Sequence, residues 1–317
     1  MDFLRFIVRR ILFGIVVLWL VTLGTFFLFF VIPNNPAVVI AGKGGTPQRV
    51  AQIKARLGLD QPVIVQYWHY MLRLLHGDLG TSFYTGQSVN TTIKQDLPPT
   101  LSLIIGGAVL WLIVGIGVGV LSATRARSLL DRAATLFVLV GISMPTFVVG
   151  LLLLLVVYSR LGFTVLAPGY VPFTQSPVQW LEHMILPWIT LATVSAATYS
   201  RLTRGSLLDA LGDDYIRTAR AKGLTERRVV YRHGLRAALT PVVTQLGVDI
   251  GTLIGGAVVT ESVFGLGGVG QALLQAFNNG DVYPILGIVI CTAVAVVVAN
   301  IVVDIAYSFL DPRVRLT

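Results

Sequence analysis

The chain has 317 residues, 55% of them hydrophobic and only 12% charged, with a formal net charge of +9 and a mean hydropathy of +0.78. That composition excludes a soluble globule. It also excludes a nucleic-acid surface, because the aromatics do not interleave with the basic residues as base stacking requires, and the lone Cys291 excludes an intramolecular disulfide or a multi-cysteine metal site.

Arg5, Arg9 and Arg10 precede an apolar run too long for a signal peptide and without a small-residue cleavage site, so it is read as a retained first span. Six segments, 11–32, 101–124, 132–158, 184–202, 239–260 and 284–309, are long enough to cross about 30 Å of hydrocarbon at about 1.5 Å per residue. The fourth is the least apolar, since Thr and Ser punctuate it; without it the basic loop that follows would fall on the wrong side of the membrane.

The loop between Pro33 and Pro99 is long enough to hold structure of its own. Thr46-Pro47 opens an amphipathic helix over 46–57, Gln61-Pro62 breaks the chain, and an aromatic-rich helix resumes over 65–75 before a turn at 76–80. Pro145, inside the third span, is expected to kink it, for gating or for packing.

The most charged stretch runs from Asp213 to Pro241. Arg217, Arg220, Lys222, Arg227, Arg228, Arg232 and Arg236 face only Asp213, Asp214 and Glu226, which places the loop in the cytoplasm. A helix is expected over 214–222, with Asp213 or Asp214 as N-cap and Gly223 as its stop; Tyr215, Thr218, Ala219 and Lys222 share one face. A second basic helix over 226–236 leads to Pro241 at the head of the fifth span. With both termini inside, seventeen of the 24 Lys and Arg residues are cytoplasmic, and six of the other seven lie in the long first loop.

Asp249 lies near the middle of the fifth span. An ionisable group there lines a pore or handles a proton, or else it bonds a neighbouring helix, since Gly247, Gly251, Gly255 and Gly256 mark a closely packed face. Asp304 reads as an interfacial helix-end residue. His69, His76, His183 and His233 have no carboxylate or Cys to complete a tetrahedral metal set. Gly265-x-Gly267-x-x-Gly270 fits a dinucleotide fingerprint in letters but lacks its βαβ context, and reads as a tight outer turn. No GxxxxGK[ST] stretch exists to cradle ATP phosphates.

Several motifs resemble those of ABC-transporter permeases. Thr218-Ala219, Gly223 and Leu239-Thr240-Pro241 are similar to the family's cytoplasmic loop; Arg217 stands where the general motif has Glu, and TARAKG at 218–223 looks like the peptide-importer branch. LGLDQP at 57–62, Gln66-Tyr67-Trp68 and GDLGTS at 77–82 resemble the same branch, as do Glu261, Phe264, Gly265, Gly267 and the Asp281–Pro284 run, which is one residue longer than the family's. Leu310-Asp311-Pro312-Arg313-Val314-Arg315 matches the family's ending.

The resemblance implies an all-α membrane protein of the type I ABC importer permease fold, with six spans and an extracytoplasmic insertion after the first helix. Residues 1–97 would form the first span and outer loop domain, 98–309 the permease core, and 310–317 a cytoplasmic tail. It implies a non-catalytic subunit for di- or oligopeptide import in a bacterial inner membrane, both termini cytoplasmic. The partners implied are a second permease, two ATPase subunits that bind the ATP and Mg, and an extracytoplasmic substrate-binding protein, with no cofactor in this chain. Asp214, Tyr215, Arg217, Thr218, Ala219, Ala221, Lys222 and Gly223 would dock the ATPase; Arg217 and Arg220 could instead meet lipid headgroups. Glutathione, a nickel chelate or a sugar are alternative solutes. A proton-coupled secondary transporter fits less well without an internal repeat. An intramembrane enzyme is disfavoured because Asp249 and Asp304 lie at different depths.

Overall fold

The computed structural model describes residues 2–32, 36–41 and 45–310, and these are helical almost throughout, with one isolated bridge between Thr81 and Ser88. In order they form α1 (Asp2–Phe26), prolonged by a π-helical turn (Phe27–Val31), then α2 (Pro36–Ala41), α3 (Pro47–Leu57), α4 (Val63–Leu75) and α5 (Val89–Thr124). Next come α6 (Leu129–Ser143), α7 (Thr146–Leu153) with a π-helical extension (Leu154–Arg160), α8 (Pro177–Gly212) and α9 (Asp214–Ala221). The short α10 (Glu226–Arg228) passes through a π-helical stretch (Val229–Gly234) into α11 (Leu235–Phe264), followed by α12 (Val269–Asn279) and α13 (Val282–Leu310). The motif residues Asp311 to Arg315 lie outside the described residues.

Length and apolarity suffice for a membrane crossing in Arg5–Val31, Val89–Thr124 and Val282–Ile305. The third expected span is not one kinked helix. α6 and α7 pass the same test only together and meet at 104°. Pro145 has no N–H to give the helix and bars Met144 from helical geometry, and Met144 is indeed extended (φ −97°, ψ 125°). α5 starts well before residue 101, and Pro241 lies inside α11 rather than at its head. At both places the polar residues that mark a loop in the sequence sit on a helix that runs past them.

Two compact units result: Met1–Pro98 with Gly268–Ile301, and Pro99–Gly267 with Val302–Thr317. In the first, Phe26 stacks on Phe30 (ring centroids 5.2 Å apart), takes the edge of Tyr67 (5.3 Å) and packs with Tyr70, Val282 and Leu286. The Asp281 carboxylate then closes the 81–88 turn, accepting from Ser82 Oγ (2.5 Å) and from the backbone N–H groups of Phe83 and Tyr84 (3.2 Å each). Gly80, at φ +90°, lies where a Cβ would come within 2.4 Å of the Tyr283 ring, so no other residue fits. The GDLGTS and Asp281–Pro284 motifs are thus one structure.

In the second unit α8 packs along α5 at backbone distance. A Cβ on Gly115 would lie 3.0 Å from the Ala196 carbonyl oxygen, and one on Gly119 2.7 Å from that of Ser200. Small residues four apart on both helices allow this approach, which in hydrocarbon supplies most of the association energy. Trp188 Nε1 donates to the Ser102 carbonyl (2.8 Å), and fully buried Glu261 accepts from Thr100 Oγ1 (2.5 Å). Gly119→Leu should therefore force α5 and α8 apart at a cost of about 1–3 kcal/mol, read as a lower melting temperature in detergent; an unchanged melt would show that the helices have room to spare.

Candidate functional site

Only Asp213 separates α8 from α9. Its backbone is extended (φ −69°, ψ 155°) and its N–H turns back to the Ala210 carbonyl, so it occupies the N-cap position, although its side chain makes no capping bond. α9 ends in a Schellman turn: Gly223 is left-handed (φ +73°), its N–H bonds Arg220 O at 2.9 Å, and Leu224 N–H reaches Ala219 O at 3.4 Å.

What holds α9 down is apolar. Ile216 is fully buried and, with Ala219 and Val229, packs against Leu211 at the end of α8 and Leu224 beyond the turn. Burying one such side chain stabilises by roughly 1.5–3 kcal/mol. The charged residues add less. Arg217 pairs with Asp214 at 3.3 Å with both side chains almost wholly in solvent, and such pairs contribute about 0–1 kcal/mol. Arg220 clasps Glu226 with two bonds (2.7 and 3.2 Å), bridging α9 to α10. That guanidinium holds the Glu226 carboxyl below the ordinary carboxylate range, so the clasp is intact at neutral pH and loosens only as pH falls through the lowered value.

Of the residues expected to dock a partner, Asp214, Tyr215, Arg217, Thr218, Ala221, Lys222 and Gly223 are exposed on one short helix and its stop. Ala219 is not. It turns inward beside Ile216, because the helix spends its apolar face on its own anchorage. Ile216 is not among the residues expected from the sequence, though it lies three positions before Ala219 and is the one large aliphatic side chain of the 214–222 helix.

A second missed group lies ten residues upstream of α9. Arg204 of α8 grips Asp131 of α6 with Nε to Oδ1 (2.9 Å) and Nη2 to Oδ2 (3.0 Å). Ser122 Oγ of α5 also donates to Oδ1, and the Arg127 backbone N–H donates to Oδ2 at 2.8 Å. Asp131 is buried, while Arg204 keeps about a third of its side chain exposed (35%). The Ser128-x-x-Asp131 capping spacing was its legible signal; Ser128 Oγ accepts from the Asp131 N–H (3.2 Å).

Asp249 accepts from Tyr199 Oη on α8 (2.8 Å) and from Gln245 Nε2 one turn earlier (2.7 Å), so its carboxylate bonds a neighbouring helix. Pro145 stands at the α6–α7 corner already described. Gly265 and Gly267 are left-handed and follow a helix, not a strand. No group of three or more metal-ligating side chains occurs among the described residues.

An exposed, braced helix between two long ones offers a surface to push on. Residues 115–316 match the binding-protein-dependent transport system inner membrane component, and residues 3–104 the N-terminal membrane component of such systems. The chain belongs to this family of inner-membrane permeases. It is 38% identical to a probable peptide ABC transporter permease of Sinorhizobium fredii, covering 98% of this chain and 99% of that one. It is 39% identical to a putative peptide transport system permease of Brucella abortus (98% of each) and 39% identical to the dipeptide transport system permease DppB of Escherichia coli (98% and 99%). The fold is similar to a chain in the inward-facing MetNI methionine ABC transporter, with a TM-score of 0.55 at 19% identity over 69% of this chain and 96% of that one.

Arg204→Ala would strand a buried carboxylate and should cost about 3 kcal/mol or more. Asp131→Ala combined with Arg204→Met should cost less than that single change, in a double-mutant melting series in detergent. Additive losses would mean the pair carries no coupling.

Proposed function

We propose that this chain is a permease subunit of an ATP-driven peptide importer. It would cross the membrane six times with both termini in the cytoplasm and residues 33–99 outside, and would form half of the pore with a second permease. Two ATPase subunits, which hold the ATP and Mg, would seat α9 in a groove, and an extracytoplasmic binding protein would deliver the solute. Similarity to peptide and dipeptide permeases over nearly the whole chain supports the substrate class. The charge distribution of the loops supports the topology.

The observation that carries the coupling reading is the seat of α9. One residue joins it to α8, and Ile216 and Ala219 pack it onto Val229 at the start of the helical segment leading to α11. A displacement of α9 therefore moves the ends of α8 and α11 together, and Arg204–Asp131 passes the movement to α6, whose partner α7 turns away at Pro145. Closure of the ATPases would so drive alternating access. Asp249 and Pro145 belong to the moving parts on this reading.

Thr218→Trp or Ala221→Trp adds bulk to the exposed face of α9 without touching Ile216. Each should abolish peptide uptake and co-purification of the ATPases while the subunit still inserts and melts normally. Uptake at the unmodified rate from either variant would overturn α9 as the docking element. Gly223→Val should give the same loss of uptake and, from left-handed strain of about 1–2 kcal/mol, a lower melting temperature.

A further inference from the structure

The helix α4 carries three stripes rather than two. Tyr67, Tyr70 and Leu74 face the apolar cluster at the end of α1. Gln66, His69, Arg73 and His76, at offsets of three and four, form a polar stripe. Between these two runs a third, apolar stripe, Ile64, Trp68, Met71 and Leu75; Ile64 is 79% exposed, Trp68 60% and Leu75 74%, and Met71 is half-buried. A helix with one polar and two apolar sides, one of them already packed on protein, is built for a boundary between oil and water.

Its depth follows from what it touches. Tyr67 and Tyr70, on either side of Trp68 in sequence, both contact Phe26 (5.3 and 5.7 Å), and Tyr67 Oη bonds Thr22 Oγ1 (3.2 Å). Counting from Ile11, where the apolar run of α1 begins, Phe26 lies about 22 Å along the helix. Some 8 Å of a ~30 Å hydrocarbon layer then remain before the far boundary. An interfacial helix sinks about 5–10 Å below that boundary, so the count puts α4 at the matching depth. The exposed side of α1 at this level, Leu23, Phe27 and Leu28, is apolar too.

We infer that α4 is an interfacial helix seated in the lipid of one leaflet, with Ile64, Trp68, Met71 and Leu75 among the upper acyl chains and Gln66, His69 and His76 toward the headgroups. That this is the outer leaflet rests on the topology proposed above; the seat itself does not. The loop after the first span is then partly membrane-embedded rather than a free extracytoplasmic domain.

The test uses the assembled transporter in phospholipid vesicles and takes the Trp68 signal as the difference between the unmodified chain and Trp68→Phe. Lipids brominated near the glycerol end of their chains should quench that signal most strongly, as a shallow seat requires, lipids brominated near the methyl ends much less, and aqueous iodide little. Quenching by iodide alone would place Trp68 in water and overturn the inference. Protection from iodide and from both bromolipids would overturn it too, in favour of a protein covering the stripe. Peptide uptake by the same vesicles reports separately on the transport reading, and Trp68→Phe should leave it unchanged.

Discussion

In hydrocarbon a backbone N–H or C=O that finds no partner in its own helix costs several kcal/mol, because no water replaces it. The described chain obeys that constraint nearly everywhere, and it departs only where a local device makes the departure tolerable. Three π-helical stretches, at Phe27–Val31, Leu154–Arg160 and Val229–Gly234, re-phase the side chains while the backbone stays bonded. The sharper break falls at Met144-Pro145, where proline has no N–H of its own to leave unpaired. Because the helices cannot fray, they behave as stiff bars, and whatever acts on one end of a bar is felt at the other.

One of the two longest of those bars, α8, has 36 residues, as α5 does, or roughly 54 Å. Its fastenings differ in kind along its length. Between Ala196 and Ser200 it is held by close approach to the glycines of α5, where dispersion and weak polar contacts must suffice. Further along, Arg204 ties it to α6 and α5 through a buried carboxylate. Such a pair is a poor source of net stability but fixes one geometry, since a slipped register strands its charge. At the end a single isoleucine under α9 outweighs the surface ion pairs around it. The anchorage of α9 is thereby chiefly apolar, while its charged residues stay at the surface, with Arg217 and Arg220 paired to Asp214 and Glu226.

The motifs of the first unit have a similar division of labour. Asp281 accepts three hydrogen bonds from the 81–88 turn, and Gly80 admits the Tyr283 ring. A motif that reads as a string of turn residues is in fact a socket for an acidic side chain some 200 positions later. Trp68 makes the opposite point: it shares an aromatic-rich helix with Tyr67 and Tyr70, yet it is exposed while they pack on Phe26.

The sequence by itself determined the class, the helical elements and the short helix at 214–222 with its glycine stop, because hydropathy, charge asymmetry and Gly or Pro punctuation act locally. It was also sufficient for the peptide-permease resemblance, since that rests on short motifs in order. It did not decide that Pro145 makes a corner of 104° instead of a kink, that Ala219 turns inward, or that Asp131 finds Arg204. Each of those depends on which helix lies alongside. Periodicity tells how many faces a helix has, but only the packing of residues far apart in the chain decides which face meets protein, which meets lipid and which is left for a partner.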